Sequence, residues 1–550
     1  MSDSFVRDGL AEVEDTSGLR AIYPVLAVAA ALRLYPVWFG LPYLHTRPDE
    51  VAAVGYAASI LRGDLNPHFF HWPSLTFYVF ATLFKMAGFV RDLVGSGRPL
   101  AAAEMILIGR IAVAVAGTAT VAVLFRMTRR IAGDGPALLA AAFLTVAILH
   151  VRESHFAMSD TLMTLLVTAS LAALVGAVLD AADVPGDADV ALRGFAVAGL
   201  FGGFAVATKY SAAAIVCAMA AAQLRLLGRK GRPRWAFRTW MPLAVFLASC
   251  AAAFVAGTPY SVLDSATFVA DLRYDATHLA GGHGITQSRG WSAHLFGSLP
   301  YGAGMPIALA ALAGIVPLVR RRPDAALILG AFAVAFYAVL GSGYTVFFRY
   351  VLPLMPIACL LAAVGAWSAG AWLVLRTGMS RTTAGVVLGL LIGAPALVNS
   401  VWFDVLLART DSRVLAARWL APRLDAGDTV YDSGGQYTTL DLGNTAHHPW
   451  RFDEPSGGFG DPLGRTPDWL VLQSSPVSLY ASTPAAVRRL AAERYDLVFD
   501  VPATRGNAAS AVYDLQDAFF LPLSRLETVV RPGPTIRVYQ LRRAHRPPLD

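Results

Sequence analysis

"WPSLTFYVFATLFKMAGFVRDLVG" occupies residues 72–95. It is long enough to cross a bilayer, for which roughly 20 mainly apolar residues suffice, yet it carries Lys85 and Arg91 in its second half. Counting it as a crossing would move every later loop to the other side of the membrane. Cytoplasmic loops collect Lys and Arg, so the basic loops that follow decide the matter. They are "RMTRR" (126–130), "RLLGRKGRPRWAFR" (225–238), "RRRPD" (320–324) and "RTGMSR" (376–381), with "DAADVPGDADVALR" (180–193) an acidic exception. All four stay inside only if 72–95 lies along the outer interface as an amphipathic helix, with Trp72, Phe77, Tyr78 and Phe80 at headgroup depth.

The rest of the chain fits that choice. With 56% hydrophobic and 15% charged residues and a mean hydropathy of +0.52, it could not keep its surface in water. Apolar runs suited to crossing fall near 21–40, 105–125, 136–151, 160–179, 194–210, 211–227, 240–257, 302–319, 325–341, 350–373 and 383–402. About eleven transmembrane helices are therefore expected in a catalytic-size unit over 21–402, with an outer loop at 41–104. Residues 1–20 are expected in the cytoplasm; they hold five acids against Arg7 and Arg20, so they lack the basic start of a signal peptide. An odd number of crossings puts residues 403–550 outside. The pI near 9.4 follows from the inner loops, and no nucleic-acid partner is needed to explain it. Cys217, Cys250 and Cys359 all lie in apolar runs, which leaves no disulfide framework for the soluble parts.

The tail reads as a small α/β domain. "SRVLAARWLAPRL" (412–424) has helical apolar spacing, and "DTVYDS", "DWLVLQ", "AAVRRLAAERY", "DLVFDV" and "TIRVYQLRR" alternate strand with helix patterns. "DSGGQY" lacks phosphate-loop spacing and reads as a turn.

With this topology, acids, histidines and cations gather on the outer face. Asp49 and Glu50 follow the first span; "HVRESHFAMSD" (150–160) brings Arg152, Glu153, His155 and Asp160; Lys209 ends the fifth span, and Arg349 with Tyr350 stands at the tenth. Other readings of these residues stay open. Asp49, Glu50 and Asp160 could cap helices, Lys209 and Arg349 could be snorkelling anchors, and His68, His71, His155, His278, His283 and His294 could be ordinary loop residues. Arg33 and Arg110, inside apolar helices, call for buried partners. Together the cluster suits group transfer at a membrane surface. A carboxylate can take the proton of an acceptor hydroxyl, and nearby cations can hold an anionic leaving group such as a lipid-linked phosphate.

Five motifs occur in an order that carries a resemblance: "RPDE" (47–50), "HWPSLTFYVF" (71–80), "HVRESHFAMSDTLMT" (150–164), "GLFGGFAVATKYSA" (199–212) and "FFRYVLPLMPIACLLAA" (347–363). Over roughly residues 20–400, though not the tail, the chain resembles the GT-C glycosyltransferase superfamily. Within it, the likeness is to the branch of protein O-mannosyltransferases and the lipid A aminoarabinose transferase (glycosyltransferase family 39-like). The resemblance implies a bacterial plasma-membrane enzyme that moves a sugar from a polyprenyl-phosphate donor to an extracytoplasmic acceptor, a glycan, lipid or protein hydroxyl. It implies Asp49 as general base in an inverting displacement, with Glu50 and Asp160 as further acids. Lys209, Arg349, Tyr350, Arg152 and His155 become candidates for binding substrate. Some relatives hold a divalent metal near the first outer loop, for which His71 and His283 are the candidates here. The chain departs from some relatives in having Ala53 and Trp72 where they carry a basic residue, which puts more weight on Lys209 and Arg349. The rival readings are a lipid-linked oligosaccharide ligase or polymerase and a lipid or sugar permease. A permease commonly shows paired repeats and polar groups near the midplane. This sequence has no clear repeat, and its informative charges sit at one interface.

Overall fold

The computed structural model describes residues 20–95, 97–183, 188–228, 236–285, 287–435, 437–461 and 465–542. The expected cytoplasmic segment 1–20 lies outside them except for Arg20, as do parts of the loops at 180–193 and 225–238. Each of the eleven expected spans falls on an apolar helix. Seven helices are long and apolar enough to cross a membrane by themselves, among them Ala102–Ala132, Ser159–Ala181, Phe348–Thr377 and Arg381–Arg423. Gly290–Ala303 and Met305–Arg321 make an eighth if read as one span bent by 108°. The turn between them is Gly304, at φ +94°, a backbone conformation open to glycine.

Two of the expected spans are shorter than the sequence suggested: Ile22–Leu34 against 21–40, and Asp134–Val146 against 136–151. Thirteen helical residues rise only about 20 Å, against roughly 30 Å of hydrocarbon. Buried polar groups close both. The guanidinium of Arg33 donates to the carbonyls of Ala29 (3.0 Å), Leu144 (2.9 Å) and Thr145 (3.3 Å), and reaches His150 Nδ1 at 2.9 Å. It thereby satisfies orphan carbonyls at the end of Asp134–Val146, where a cation also suits the helix dipole. After a break at Ala147 the chain resumes as Ile148–Glu153.

Segment 72–95 forms the helix Leu75–Leu93, which is not one of the helices of crossing length and composition. Phe77, Phe80 and Phe84 are buried against Ala53, Val54 and Ala57 of the helix Pro48–Ile60. Met86, Phe89 and Leu93 on its second half are exposed. Arg91 is held by both carboxylate oxygens of Glu104, at 2.8 and 3.1 Å.

Glycine sets the closest helix approach. Gly314 of Met305–Arg321 lies against the backbone of Leu361 and Gly365 in Met355–Thr377, so a Cβ there would run into the Leu361 carbonyl. Gly365 makes the reciprocal approach to Ala310 and Gly314. Packing of small residues is how helices associate where lipid removes the hydrophobic drive.

The tail carries a five-stranded mixed sheet in the order β2-β1-β3-β5-β4, where β1 is Thr429–Asp432, β2 His448–Trp450, β3 Trp469–Ser474, β4 Tyr495–Val501 and β5 Thr535–Leu541. β1 runs parallel to β2 and β3, and β5 antiparallel to β3 and β4. Successive strand residues face opposite sides. Val430, Val471, Ile536 and Val538 pack on Ala416 and Leu420 of the helix Ser412–Leu420. Tyr431, Leu470, Leu472 and Leu541 pack on Val487 and Ala491 of the helix Ala485–Arg494. Sequence alternation located four of these strands; β2, a short edge strand containing Pro449, has no such pattern.

Gly314→Val should force Met305–Arg321 away from Met355–Thr377 and cost about 1–3 kcal/mol by overpacking. Thermal unfolding in detergent should register the loss. Gly330→Val, on a helix face with nothing within 4 Å of an added Cβ, should leave the transition in place.

Candidate active site

Pro48 opens the helix Pro48–Ile60, whose first turn carries Asp49 and Glu50. Proline suits that position because its missing N–H would find no intrahelical acceptor there. Consecutive helical residues point about 100° apart, and the two acids accordingly do different things. Asp49 lines a cavity of about 550 Å³ and keeps its side chain 36% exposed. Glu50 is fully buried. It accepts hydrogen bonds from Arg110 Nε (2.8 Å) and Nη2 (2.6 Å) and from the Ala157 amide (2.7 Å). Arg110 also donates to the carbonyls of Val37 (2.9 Å) and Phe39 (2.7 Å). Glu50 therefore fastens the helix Pro48–Ile60 to the helix Ala102–Ala132 and does not line the cavity.

The cavity wall brings together Asp49, Asp160, Lys209, Arg349 and Tyr350, all singled out in the sequence. Asp160 stands in the first turn of Ser159–Asp183 and pairs with Lys209 Nζ at 2.5 Å. Lys209 follows the end of the helix Ala188–Val206 in an extended conformation, and its ammonium lies 4.5 Å from the centre of the Tyr350 ring. Arg349 reaches Asp49 at 2.9 Å and Asp160 at 4.0 Å, with its guanidinium 4.2 Å from the centre of the Phe347 ring. The same cavity is also lined by Ala213, Ala214, Leu272, Leu279, Val339 and Leu340. Charged and apolar side chains thus share one lining.

Two expected binding residues sit elsewhere. Arg152 and His155 are buried behind the cavity. His155 spans the carbonyls of Val151 and Tyr35, each at 2.9 Å, which fixes helix packing. Arg152 bonds Asp517 Oδ2 at 2.9 Å.

Asp517 is the residue that sequence reasoning missed. It comes from the C-terminal domain, is 2% exposed and lines the cavity. Its carboxylate pairs closely with Arg47, with Arg152 at 2.9 Å and with Arg349 at 3.4 Å. Its neighbours hold the loop that presents Arg349: Asp514 Oδ2 accepts from the Phe348 amide (2.6 Å), and Gln516 Oε1 from the Val346 amide (2.7 Å). Burial favours protonation of both acids, but for Asp517 the Arg47, Arg349 and Arg152 guanidiniums outweigh it and hold the carboxyl below its usual range. Burial, together with the adjacent Asp517 charge, pushes Asp514 up. The sequence around "YDLQDAFF" (513–520) has no periodicity or motif that marks it; only its acids beside buried aromatics are unusual.

His71 and His283 both line the cavity, but their rings have other partners. His71 Nδ1 is 2.9 Å from Asp275 and its Nε2 3.7 Å from Asp271. His283 bonds His278 Nε2 and the Tyr480 hydroxyl, each at 3.1 Å. Burial, aided by His278, pulls the His283 pKa down, and burial pushes Asp275 up against the opposing pull of His71. Among the described residues no group of three or more His, Cys, Asp or Glu is arranged to hold a metal ion. Neither His71 nor His283 belongs to such a group.

Residues 103–256 match the dolichyl-phosphate-mannose-protein mannosyltransferase family, a stretch that contains Asp160 and Lys209. No curated protein is a match. The fold is similar to that of ArnT from Cupriavidus metallidurans bound to undecaprenyl phosphate, at 14% identity and a TM-score of 0.56, covering 98% of this chain and 100% of that one. The apo form of ArnT gives 16% identity and a TM-score of 0.54, covering 97% and 100%. The apo oligosaccharyltransferase of Archaeoglobus fulgidus is similar at 12% identity and a TM-score of 0.52 over 79% of this chain. This chain spans 64% of that enzyme's length. The fold is therefore ArnT-like: a multi-pass helical membrane protein with a C-terminal mixed sheet.

Glu50→Ala or Arg110→Ala should each destabilise the protein by about 3–5 kcal/mol, because the partner is left as an unpaired buried charge. Chemical unfolding of each variant in detergent measures this. Asp49→Asn, at a half-exposed position, should unfold within about 1 kcal/mol of the parent.

Proposed function

We propose that this chain, a multi-pass membrane protein of ArnT-like fold, is a glycosyltransferase that takes a sugar from a polyprenyl-phosphate donor and transfers it to an acceptor hydroxyl outside the cytoplasm. The observation that carries this reading is a cavity lined by both charged and apolar side chains. A lipid tail suits Leu272, Val339 and Leu340, while its phosphate suits Lys209 and Arg349. The family match over 103–256 and the ArnT-like fold support the donor class. Undecaprenyl phosphate and a dolichyl-phosphate sugar share the chemistry that this wall recognises. The site faces the outside of a bacterial plasma membrane in this reading, with 21–402 as the catalytic unit and 403–550 as an extracytoplasmic domain.

The chemistry follows from who touches whom. The acceptor hydroxyl enters beside Asp49, whose Oδ2 is held by Arg349 at 2.9 Å and whose partial exposure leaves it open to the cavity. Asp49 takes the hydroxyl proton as the oxygen attacks the anomeric carbon. The bond from that carbon to the phosphate oxygen breaks, and polyprenyl phosphate leaves with the electron pair. Lys209 and Arg349 receive the developing charge in a site shielded from bulk water, where preoriented cations act most strongly. Asp160 keeps Lys209 in place through its 2.5 Å contact. A single displacement inverts the anomeric configuration.

Reconstituted protein supplied with polyprenyl-phosphate sugars should transfer label to acceptor. Asp49→Asn should lower transfer by about 10²- to 10⁴-fold while still binding polyprenyl phosphate, and Lys209→Ala should weaken that binding. Unchanged transfer by Asp49→Asn would remove Asp49 as the base. Passage of intact lipid-linked sugar across vesicles without transfer would favour a permease. A donor-length series that prefers oligosaccharides would favour a ligase.

A further inference from the structure

Three guanidiniums converge on the two oxygens of Asp517, and they do not hold it equally. Arg47 and Arg152 hold it closely from behind, whereas Arg349, which shares the cavity wall with it, is the looser partner at 3.4 Å. Arg349 is itself surrounded by Asp49, Asp160 and Asp517, and its buried Nε has no hydrogen-bond partner. Asp517 stands on a stretch of irregular backbone between β4 and β5, so it can shift without breaking the sheet. A carboxylate on this cluster of guanidiniums sits where the positive potential would draw the phosphate of an entering lipid.

We propose that Asp517 is a displaceable counter-anion and positioning residue: it orients Arg349 when no donor is bound and yields Arg349 to the lipid phosphate when one enters. The proposal rests on the reading of the cavity as a lipid-phosphate site. Occupancy of the membrane-embedded cavity is thereby communicated to the C-terminal domain through one carboxylate. Competition between Asp517 and the phosphate for Arg349 also keeps the leaving lipid phosphate from binding too tightly, which favours its release.

A simple strut and a competing anion make opposite predictions. Loss of a strut loosens Arg349 and weakens lipid-phosphate binding. Loss of a competing negative charge, within a few ångströms and partly shielded from water, tightens it by about tenfold or more. The test uses the full chain in lipid nanodiscs, titrated with a polyprenyl monophosphate and with the neutral polyprenol of equal length. The parent should prefer the phosphate. Asp517→Asn should bind it at least about tenfold more tightly with polyprenol binding unchanged, and KM and kcat for transfer should fall together as product release slows. Equal or weaker phosphate binding by a folded Asp517→Asn overturns the proposal but leaves the lipid-phosphate reading standing. A parent that does not distinguish phosphate from alcohol overturns both. Should Asp517→Asn fail to fold, hydrogen exchange on the parent decides: polyprenyl monophosphate, and not polyprenol, should speed exchange in residues 510–520, and slowed or unchanged exchange refutes displacement.

Discussion

One buried carboxylate ties this molecule together. Asp517 is met by Arg47 just ahead of the helix Pro48–Ile60, Arg152 from the helix Ile148–Glu153 and Arg349 just ahead of the helix Met355–Thr377. Taking four charged groups out of water is costly, and their mutual attraction compensates only when geometry and pairing are good. Arg47 and Arg152 therefore need the carboxylate, while Arg349 has Asp49 as its closer partner. Other contacts across the same junction repeat the pattern: Asp514 and Gln516 bond the loop ahead of Arg349, and Tyr43 donates to the Thr439 carbonyl. The part of the chain before the sheet supplies the cations, the C-terminal part supplies the anion, and the cavity forms where they meet.

That junction accounts for the division of labour between two adjacent acids. Glu50 points into the helix packing and neutralises Arg110, a charge that apolar helices could not otherwise carry. Asp49, one residue earlier, points into the cavity and is steadied by Arg349 while staying accessible. The same pairing logic runs through the site. Asp160 and Lys209 hold each other, and Tyr350 offers its ring face to the ammonium. Charges held in advance at the edge of a low-dielectric wall need little rearrangement when a new charge develops, the condition under which electrostatic stabilisation is strongest.

The amphipathic helix Leu75–Leu93 has a comparable structural logic. Its aromatic half buries Phe77, Phe80 and Phe84 against the helix that carries Asp49, while its other half exposes Met86, Phe89 and Leu93. The helix Ser265–Gly281, which supplies Leu272, Asp275 and His278 to the cavity, has no buried residue of its own. Its Phe268 meets the rings of Phe70, Tyr210 and Phe254, and polar contacts add to this, among them Asp271 to the Phe70 amide and Asp275 to His71.

Much of this could be read from residues alone, because the bilayer restricts what a chain can do. Long apolar runs must be helices, so the eleven apolar helices followed from local composition, and the pattern of basic loops led to Asp49, Asp160, Lys209 and Arg349, which one cavity brings together. Strand alternation likewise revealed most of the sheet. The two short helices Ile22–Leu34 and Asp134–Val146 were overestimated, since their ends are set by buried partners such as Arg33 with Leu144 and Thr145, which no local window contains. Whether an acid or cation faces the cavity or the packing depended on helix rotation and on contacts hundreds of residues apart, which separated Asp49 from Glu50 and withdrew Arg152 and His155 from the wall. Asp517 lay beyond reach for the same reason. Periodicity reports on neighbours along the chain, whereas Asp517 acquires its role from three arginines that only the folded molecule brings to it.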